Sequence, residues 1–482
     1  MSTQQRPNVL LMVSDDHSYN TIGALGNHLI NTPNLDRLCN RGAAFYRHFC
    51  TTPICTPARA EILTGRNSFA NGVPWFGMPI EPSLTLLPEA MKAGGYTTLH
   101  VGKWHNDGHP RDKGYDATTC VHPEDNKNSY REHGQIMRFE EGDRVREGHS
   151  SDIMTDAAIE LLGSTSSEKP WFLYFGFGAP HDPHISPEPF ASMYDPSQTP
   201  LPPNYMPEHP FDNGDMVIRD ELLENWPRTP DTIRRYVARY YGIISHLDWN
   251  IGRLLGALEA RGQLDNTVIV FTGDQGLAAG SHGLLGKENM YDHSIASPLI
   301  LAGPGIRPGV RSTAMSHHVD LFPTVCELAG VELPESASDG FSLLPILNGG
   351  AERVRDEVLC EFYSPEEPGE EKRYSQRALR TEAWKLTWYP LIGRCQLFDL
   401  RRDPAETVDL LAPWRIRRRK AESSGASVWT KDKWAAVDLH PPYDHEEIKR
   451  VTADLRERMI RVMGEQGDPL EPSIPDPFAK AG

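Results

Sequence analysis

The sequence predicts an α/β protein: a large mixed, mostly parallel sheet flanked by helices, with a smaller C-terminal α+β domain containing an antiparallel sheet. Three observations carry this. Over residues 1–350, short apolar runs alternate with amphipathic stretches, the succession that builds a mostly parallel sheet. Beyond Gly350 the rhythm changes to short strand candidates separated by turn residues, so residues 351–482 read as a second, smaller unit with an extended tail. The length of 482 residues, about three typical domain lengths, suits one large or two fused domains, and a hydrophobic fraction of 39% suffices for a sizeable core.

The elements follow in chain order. Val9 to Val13 is a continuous apolar run of strand length, as expected of a strand buried on both faces. Thr32 and Pro33 make a helix start, with Thr32 as N-cap and Pro33 at the first helical position, where the missing N–H costs nothing. Leu84 to Ala93 reads as a helix ended by Gly94 and Gly95, and Thr97 to Val101 as the next strand. Trp171 to Phe177 is another buried strand. Asp231 to Gly262 is a long amphipathic helix, because Ile233, Val237, Tyr240, Ile244 and Leu247 recur at helical spacing. Thr267 to Thr272 and Pro298 to Ala302 are further strands. In the C-terminal part, Val358 to Tyr363, Gln376 to Leu379, Lys385 to Tyr389 and Gln396 to Leu400 are strand candidates, Glu446 to Gly464 is a helix, and the Pro-rich stretch from Asp468 is an extended tail. Residues 106–150 are polar and irregular, as functional loops often are. The basic run Arg415 to Lys420 reads as a solvated face.

Composition excludes several classes. A formal net charge of -17 argues against a broad nucleic-acid surface, and an enzyme of anionic substrates would have to concentrate positive charge locally. Seven cysteines show no CxxC pair and no zinc-ribbon spacing, so no disulfide framework is expected. The apolar run behind the polar segment Met1 to Arg6 is too short for a signal-peptide core, and no stretch reaches membrane-spanning length. A soluble protein of a reducing compartment, without a membrane partner, is the expectation.

The residues able to do chemistry cluster in a few segments. Ser14-Asp15-Asp16-His17 follows the first strand, and Thr272-Gly273-Asp274-Gln275-Gly276 follows a later one. In open α/β sheets the loops at the carboxyl ends of strands build the site. Three carboxylates and an amide oxygen there make a hard, oxygen-rich cage, better suited to Ca²⁺ or Mg²⁺ than to zinc. Gly102-Lys103-Trp104-His105, Ala179-Pro180-His181-Asp182-Pro183 and Gly286-Lys287-Glu288-Asn289-Met290-Tyr291 bring basic groups. Cys55-Thr56-Pro57-Ala58-Arg59 runs on into Ala60-Glu61-Ile62-Leu63-Thr64-Gly65-Arg66. This long string resembles the signature of the sulfatase family, in which the Cys is oxidised to formylglycine. The other segments resemble that family's metal-binding and sulfate-binding segments in the same order. The resemblance continues through Pro298 to Gly305, His318 to Thr324, Leu397 to Leu400 and Asp403-Pro404, and so spans residues 7–411.

The resemblance implies a type I, formylglycine-dependent sulfatase of the alkaline-phosphatase superfamily. Asp15, Asp16, Asp274 and Gln275, with the formylglycine made from Cys55, would hold one divalent ion, Ca²⁺ first, with Mg²⁺ or Mn²⁺ as alternatives. Gln275 departs from the Asn or His more often found there, which leaves the metal's identity open. Arg59 would hold the formylglycine hydrate or a metal-bound carboxylate. His105 would be the base for the hydrate's second hydroxyl, with Lys103 setting its charge state. His181 and Lys287 would bind sulfate oxygens and assist protonation of the leaving group. The hydrate explains the modification: one hydroxyl attacks sulfur, and deprotonation of the other expels sulfate, a route a sulfated Ser would lack. A formylglycine-generating enzyme is then a partner during maturation, and a bacterial cytoplasm is the expected location.

Three rivals stand beside this reading. Relatives with the same site cleave phosphonate monoesters or phosphodiesters. A two-zinc phosphatase would draw on His317, His318 and Asp320. A binding homologue would keep the fold without turnover. The substrate's organic part, a carbohydrate or another small molecule, should meet loops 67–82, 106–150 and 183–230, where Trp75, Phe76, Trp104 and Trp226 are candidates for ring stacking. The tail after Asp468 could reach a neighbouring copy in a homo-oligomer.

Overall fold

The computed structural model describes residues 6–121, 136–141, 144–166, 168–214, 216–337, 339–363, 375–412 and 443–479. The chain forms two compact units: Met1–Phe211 with Val217–Asp356, and Asp212–Met216 with Glu357–Gly482.

The first unit runs β1 (Asn8–Ser14), α1 (Pro33–Arg41), β2 (Gly42–Phe49), α2 (Cys55–Thr64), α3 (Leu87–Ala93), β3 (Thr97–Gly102), β4 (Ala117–Thr119), β5 (Ile136–Glu141), β6 (Arg144–His149), α4 (Ser150–Gly163), β7 (Trp171–Gly176), α5 (Pro230–Ala260), β8 (Thr267–Gly273), β9 (Ala296–Ala302), β10 (Val310–His317) and α6 (Leu321–Ala329). Eight of these strands form one sheet in the order β10-β2-β9-β8-β1-β7-β3-β4. All pairings are parallel except those of β9 with β2 and β8. The sheet is therefore the mixed, mostly parallel one expected. β1 lies at its centre with every residue buried, in register with β7 through Val9–Phe172 and with β8 through Val9–Val268. Its alternate side chains enter opposite layers, as a period of two requires. Leu10 and Met12 pack with Ile244 and Leu247 of α5, whereas Val9, Leu11 and Val13 pack with Leu321, Phe322 and Val325 of α6. Burial of such a strand on both faces is why its sequence reads as an unbroken apolar run.

The second unit holds the antiparallel sheet β11 (Glu357–Phe362), β12 (Gln376–Thr381), β13 (Trp384–Tyr389) and β14 (Arg394–Asp399), with α7 (His445–Glu465). Leu359, Leu379, Leu386 and Leu397 of the sheet pack with Ile448, Leu455 and Met459 of α7. The basic run 415–420 lies outside the described residues.

Several local expectations need correction. Thr32 occupies the N-cap position of α1 but makes no side-chain cap bond. Its hydroxyl accepts from Gly23 N–H, and Asp248 of α5 takes over the cap, its carboxylate accepting the Asn34 and Leu35 N–H groups at 3.1 and 2.7 Å. A charged group from a distant helix satisfies the orphan donors there. α3 begins at Leu87 rather than Leu84, and Glu89 accepts the Leu86 N–H at 2.8 Å. The polar stretch 106–150 contains β4 and the β5–β6 hairpin; residues 122–135 and 142–143 lie outside the described ones. None of the seven cysteines, all buried, is in a disulfide. Among the described residues, no helix is long and apolar enough to cross a membrane.

Candidate active site

Four strands that are neighbours in the sheet, β8, β1, β7 and β3, run parallel and so end at one edge. Each delivers part of the site: Asp274 and Gln275 after β8, Asp15 and Asp16 after β1, His181 after β7, and Lys103 after β3. Cys55, the first residue of α2, joins them from the loop after β2. The strand ends are drawn close together. A Cβ on Gly102, whose φ is +89°, would lie 2.1 Å from Gly176 O, and one on Gly176 would lie 2.1 Å from Lys103 O. Only glycine fits at either position. Backbone bonds link the loops, with Asp15 N–H donating to Ala179 O and Asp274 N–H to Ser14 O. Asp16 and His105 have φ of 58° and 54°, left-handed conformations uncommon outside glycine, which gather at functional sites.

Charge alternates around Cys55. Its thiol donates to Asp15 Oδ1 at 3.2 Å, and Gln275 Nε2 and Lys287 Nζ approach its Sγ at 3.2 and 3.7 Å. Asp15 also forms an ion pair with Lys103. Asp16 receives Lys287 Nζ at 2.8 and 2.9 Å, Gln275 Nε2 at 2.5 Å, and faces His181 Nε2 at 3.6 Å. Asp274 accepts from Arg59 Nε at 3.0 Å, with Nη2 at 2.9 Å, both side chains fully buried. Its other oxygen accepts the Asp16 and Gln275 N–H groups at 3.0 and 2.9 Å. His105 stands at the half-buried margin, its ring 5.7 Å from that of Phe76.

The electrostatics follow from this crowding. Burial raises the Asp15 carboxyl, but Lys103, His181, Arg59 and Lys287 outweigh it and hold the group well below its ordinary range. Asp274 is pushed up to about 7, by burial and then by Asp15, which Arg59 and Lys103 only partly offset. Burial works against the charged forms of Lys103 and Lys287, yet the carboxylates keep both raised. The Cys55 thiol is pushed up by burial and then by Asp15, so the unmodified side chain is a neutral thiol and a poor nucleophile.

These residues fit a hard cation. Asp15, Asp16, Cys55 and His181 each offer a ligand atom, all within 4.8 Å of one another. Gln275 Oε1 is buried beside them with no hydrogen-bond partner among the described residues. Burial, and after it the charge of Asp15, lifts the Asp274 carboxyl to about 7, and a divalent cation bound beside it would favour its ionised form. Asp274 is tied to this cluster through backbone donors and Arg59. The residues that a two-zinc site would need are engaged elsewhere: His317 Nε2 meets Thr51 Oγ1 at 3.2 Å, His318 Nε2 meets Ser297 Oγ at 3.3 Å, and Asp320 pairs with Arg355.

Of the aromatic candidates, Trp104 is a correction. It is fully buried in the layer beneath the sheet, donating to Asp107 O, and cannot meet a substrate. Trp226 carries the Arg228 guanidinium over its ring at 4.2 Å. Trp75 and Phe76 pack edge to face, half-buried, beside His105. Sequence reasoning gave no role to Asp182, Arg219, Asp220 and Glu221, which stand behind His181 and Lys287. Arg219-Asp220-Glu221 in a loop looks like any solvated charge run, so no local signal could have found them.

The chain is similar to known proteins over most of its length. A family model described as Sulfatase matches residues 7–331, and one described as N-sulphoglucosamine sulphohydrolase, C-terminal, matches 280–418. The N-acetylglucosamine-6-O-sulfatase of Bacteroides thetaiotaomicron is 28% identical over 479 residues, covering 87% of this chain and 85% of that one. A solved structure of a protein in complex with its substrate D-glucosamine-2-N,6-O-disulfate has a TM-score of 0.76 at 25% identity, covering 97% of this chain and 99% of that one. The phosphonate monoester hydrolase of Agrobacterium radiobacter has a TM-score of 0.70 at 26% identity, covering 87% and 95%. With that match across two thirds of its length and a site of this composition, the chain belongs to the sulfatase family, the sulfuric ester hydrolases.

Proposed function

We propose that the protein hydrolyses the sulfate monoester of a carbohydrate, with Cys55 matured to formylglycine and one divalent ion, Ca²⁺ first, held by Asp15, Asp16, Asp274 and Gln275. The observation that carries this is the setting of Cys55 Sγ, between Asp15, Gln275 and Lys287 at 3.2 to 3.7 Å. Three carboxylates, Asp15, Asp16 and Asp274, face three permanent cations, Arg59, Lys103 and Lys287. The set is balanced by itself, so a bound divalent ion leaves two net positive charges where a sulfate dianion-like transition state would sit. This is the local positive charge that a chain of net charge -17 needs.

When bound, the ion supplies Lewis acidity, and the formylglycine hydrate supplies a nucleophilic hydroxyl with a second hydroxyl for release. The chain's own groups do the rest. Arg59 fixes Asp274 through two nitrogens and presents Nη1 to Lys103 O at 3.3 Å, which locks α2 to the strand edge. Lys287 brings an ammonium to the reacting residue. His181 donates Nδ1–H to Asp182 O at 2.8 Å, leaving Nε2 toward Asp16 and the sulfate position. His181 and Lys287 accordingly bind sulfate oxygens and protonate the departing alkoxide. His105, with Lys103 before it, is the base for the second hydroxyl. The carbohydrate follows from the relatives that act on sulfated amino sugars.

The test is the mass of the tryptic peptide containing Cys55, from protein made with a formylglycine-generating enzyme, together with sulfate release. A formylglycine mass and sulfate release are expected; an unmodified Cys55 in active protein would overturn the mechanism. The likeness to the phosphonate monoester hydrolase favours one second reading. Rates on 4-nitrophenyl sulfate and 4-nitrophenyl phenylphosphonate, measured side by side, decide between them.

A further inference from the structure

Behind the sulfate-facing groups lies a closed ring of alternating charge. Asp16 contacts Lys287, Lys287 Nζ lies 3.8 Å from Asp220 Oδ2, and Asp220 Oδ1 accepts from Arg219 Nη1 at 2.5 Å. Arg219 Nη2 reaches on to Asp182, Asp182 Oδ1 stands 3.2 Å from His181 Nδ1, and His181 Nε2 returns to Asp16 at 3.6 Å. In this order Arg219 stands opposite Asp16. Its one guanidinium joins the carboxylate beside His181 to the carboxylate beside Lys287.

Three chain segments meet in this ring: residues 181–182 after β7, residues 285–287 after β8, and residues 219–221. The third is fastened to the second. Glu221, buried, accepts the Leu285 and Gly286 N–H groups at 2.8 to 3.0 Å, just before Lys287, and is held by the buried Arg228 at 2.9 Å. A Cβ on Gly286 would lie 2.8 Å from Asp220 Cβ, so the two segments are in contact. Toward residues 181–182 the link is the fork of Arg219. Burial pushes the Asp182 carboxyl up, but the charges of His181 and then Arg219 outweigh it and hold it at about 2, so the fork meets an ionised partner there. The Arg219 side chain is 39% exposed and adds little apolar burial. What it adds is the spacing of two carboxylates that are themselves buried. A planar fork with two nitrogens fixes such a spacing, and a single ammonium cannot.

We infer that Arg219 is a positioning residue: by bridging Asp182 and Asp220 it holds His181 and Lys287 in one arrangement around Asp16, so that both meet the sulfate ester together. Arg219 acts through these two groups. The inference rests on the sulfatase reading of the same site, in which His181 and Lys287 face the sulfate.

The experiment is a pair of double-mutant cycles on the matured, Ca²⁺-loaded protein, with 4-nitrophenyl sulfate as substrate. Arg219→Ala should lower kcat/KM of the parent by about ten- to a hundredfold, the loss typical of a charged hydrogen bond, with calcium affinity unchanged. In His181→Ala and in Lys287→Ala the further loss on removing Arg219 should be at least about threefold smaller than in the parent, because groups that act through one another are not additive. Arg219→Lys, which keeps the charge without the fork, should lose nearly as much as Arg219→Ala. The same loss in all three backgrounds, or no loss in the parent, overturns the inference; so does full activity in Arg219→Lys, which would make charge alone sufficient. Crystal structures of Cys55→Ala with and without Arg219→Ala supply a readout independent of turnover. Removal of Arg219 should shift His181 Nε2 and Lys287 Nζ relative to Asp16 and leave Asp15 in place, and an unmoved pair overturns the inference. Absence of sulfate release by the parent would sink the sulfatase reading instead, and the two crystal structures would still decide the role of Arg219.

Discussion

At the scale of single residues, the site is a set of charges that would repel or collapse without one another. Lys287 and His181 both rest on Asp16, and neither is a carboxylate of the metal cage. His181→Ala and Lys287→Ala should therefore each lower turnover by roughly 10²–10⁴ while calcium binding is retained. Calorimetric titration with Ca²⁺ alongside steady-state rates checks this, and metal loss in both variants would place them among the ligands. Asp274 gives a pH dependence with a definite sign. Its carboxyl is raised to about 7 by burial and then by Asp15, so below that pH a proton competes with the ion. Calcium affinity should fall by about tenfold per unit as pH drops from 7 toward 5 and level off above 7. A flat profile would remove Asp274 from the ligand set.

At the scale of elements, the loops after the strands are held by groups from elsewhere in the chain. The start of α1 is the clearest example. Asp248 on α5 accepts two N–H groups there, and burial lifts its carboxyl to about 6, more than the backbone and Asn34 donors pull it down. A raised carboxyl favours the folded state below its unfolded value of 3.8, and that contribution is lost as pH rises through about 6. Between pH 4 and pH 7 the stability of the parent relative to Asp248→Asn should fall by roughly 2.5 kcal/mol, the worth of somewhat under two pKa units. Urea denaturation of both proteins across that range tests it; parallel stability curves would show that Asp248 does not titrate there. The strands and long helices were legible because their burial is written in their own periodicity, as in β1 and α5. β2, β10 and α4 went unread. Gly42–Phe49 mixes Gly, Arg and His with apolar residues, and Val310–His317 carries Arg, Ser and Thr, so neither shows a clean period. Their strand state is decided by pairing with β9 and with each other.

At the scale of the whole molecule, the larger unit contains every site residue, and its stability should be linked to the ion. Free Ca²⁺ at about a hundred times its Kd should stabilise that unit by about 2.7 kcal/mol, and chelation should reverse this. Scanning calorimetry with and without chelator measures it. A melting profile indifferent to both would argue against a preformed cation site. The same comparison with magnesium and manganese ranks the candidate ions.

The sequence by itself determined the family, the sheet, and the residues that meet at its edge. A nucleophile string, two acidic strand ends and three basic segments each carry a local signature, and a parallel sheet brings strand ends together whatever the intervening loops do. Only the tertiary structure decided which cation meets which carboxylate, that Trp104 is core, that Asp248 caps α1, and that Asp220 is buried beside Lys287. Those facts depend on contacts between segments tens to hundreds of residues apart. Charge, unlike hydrophobic periodicity, has no spacing rule that would announce such partners in advance.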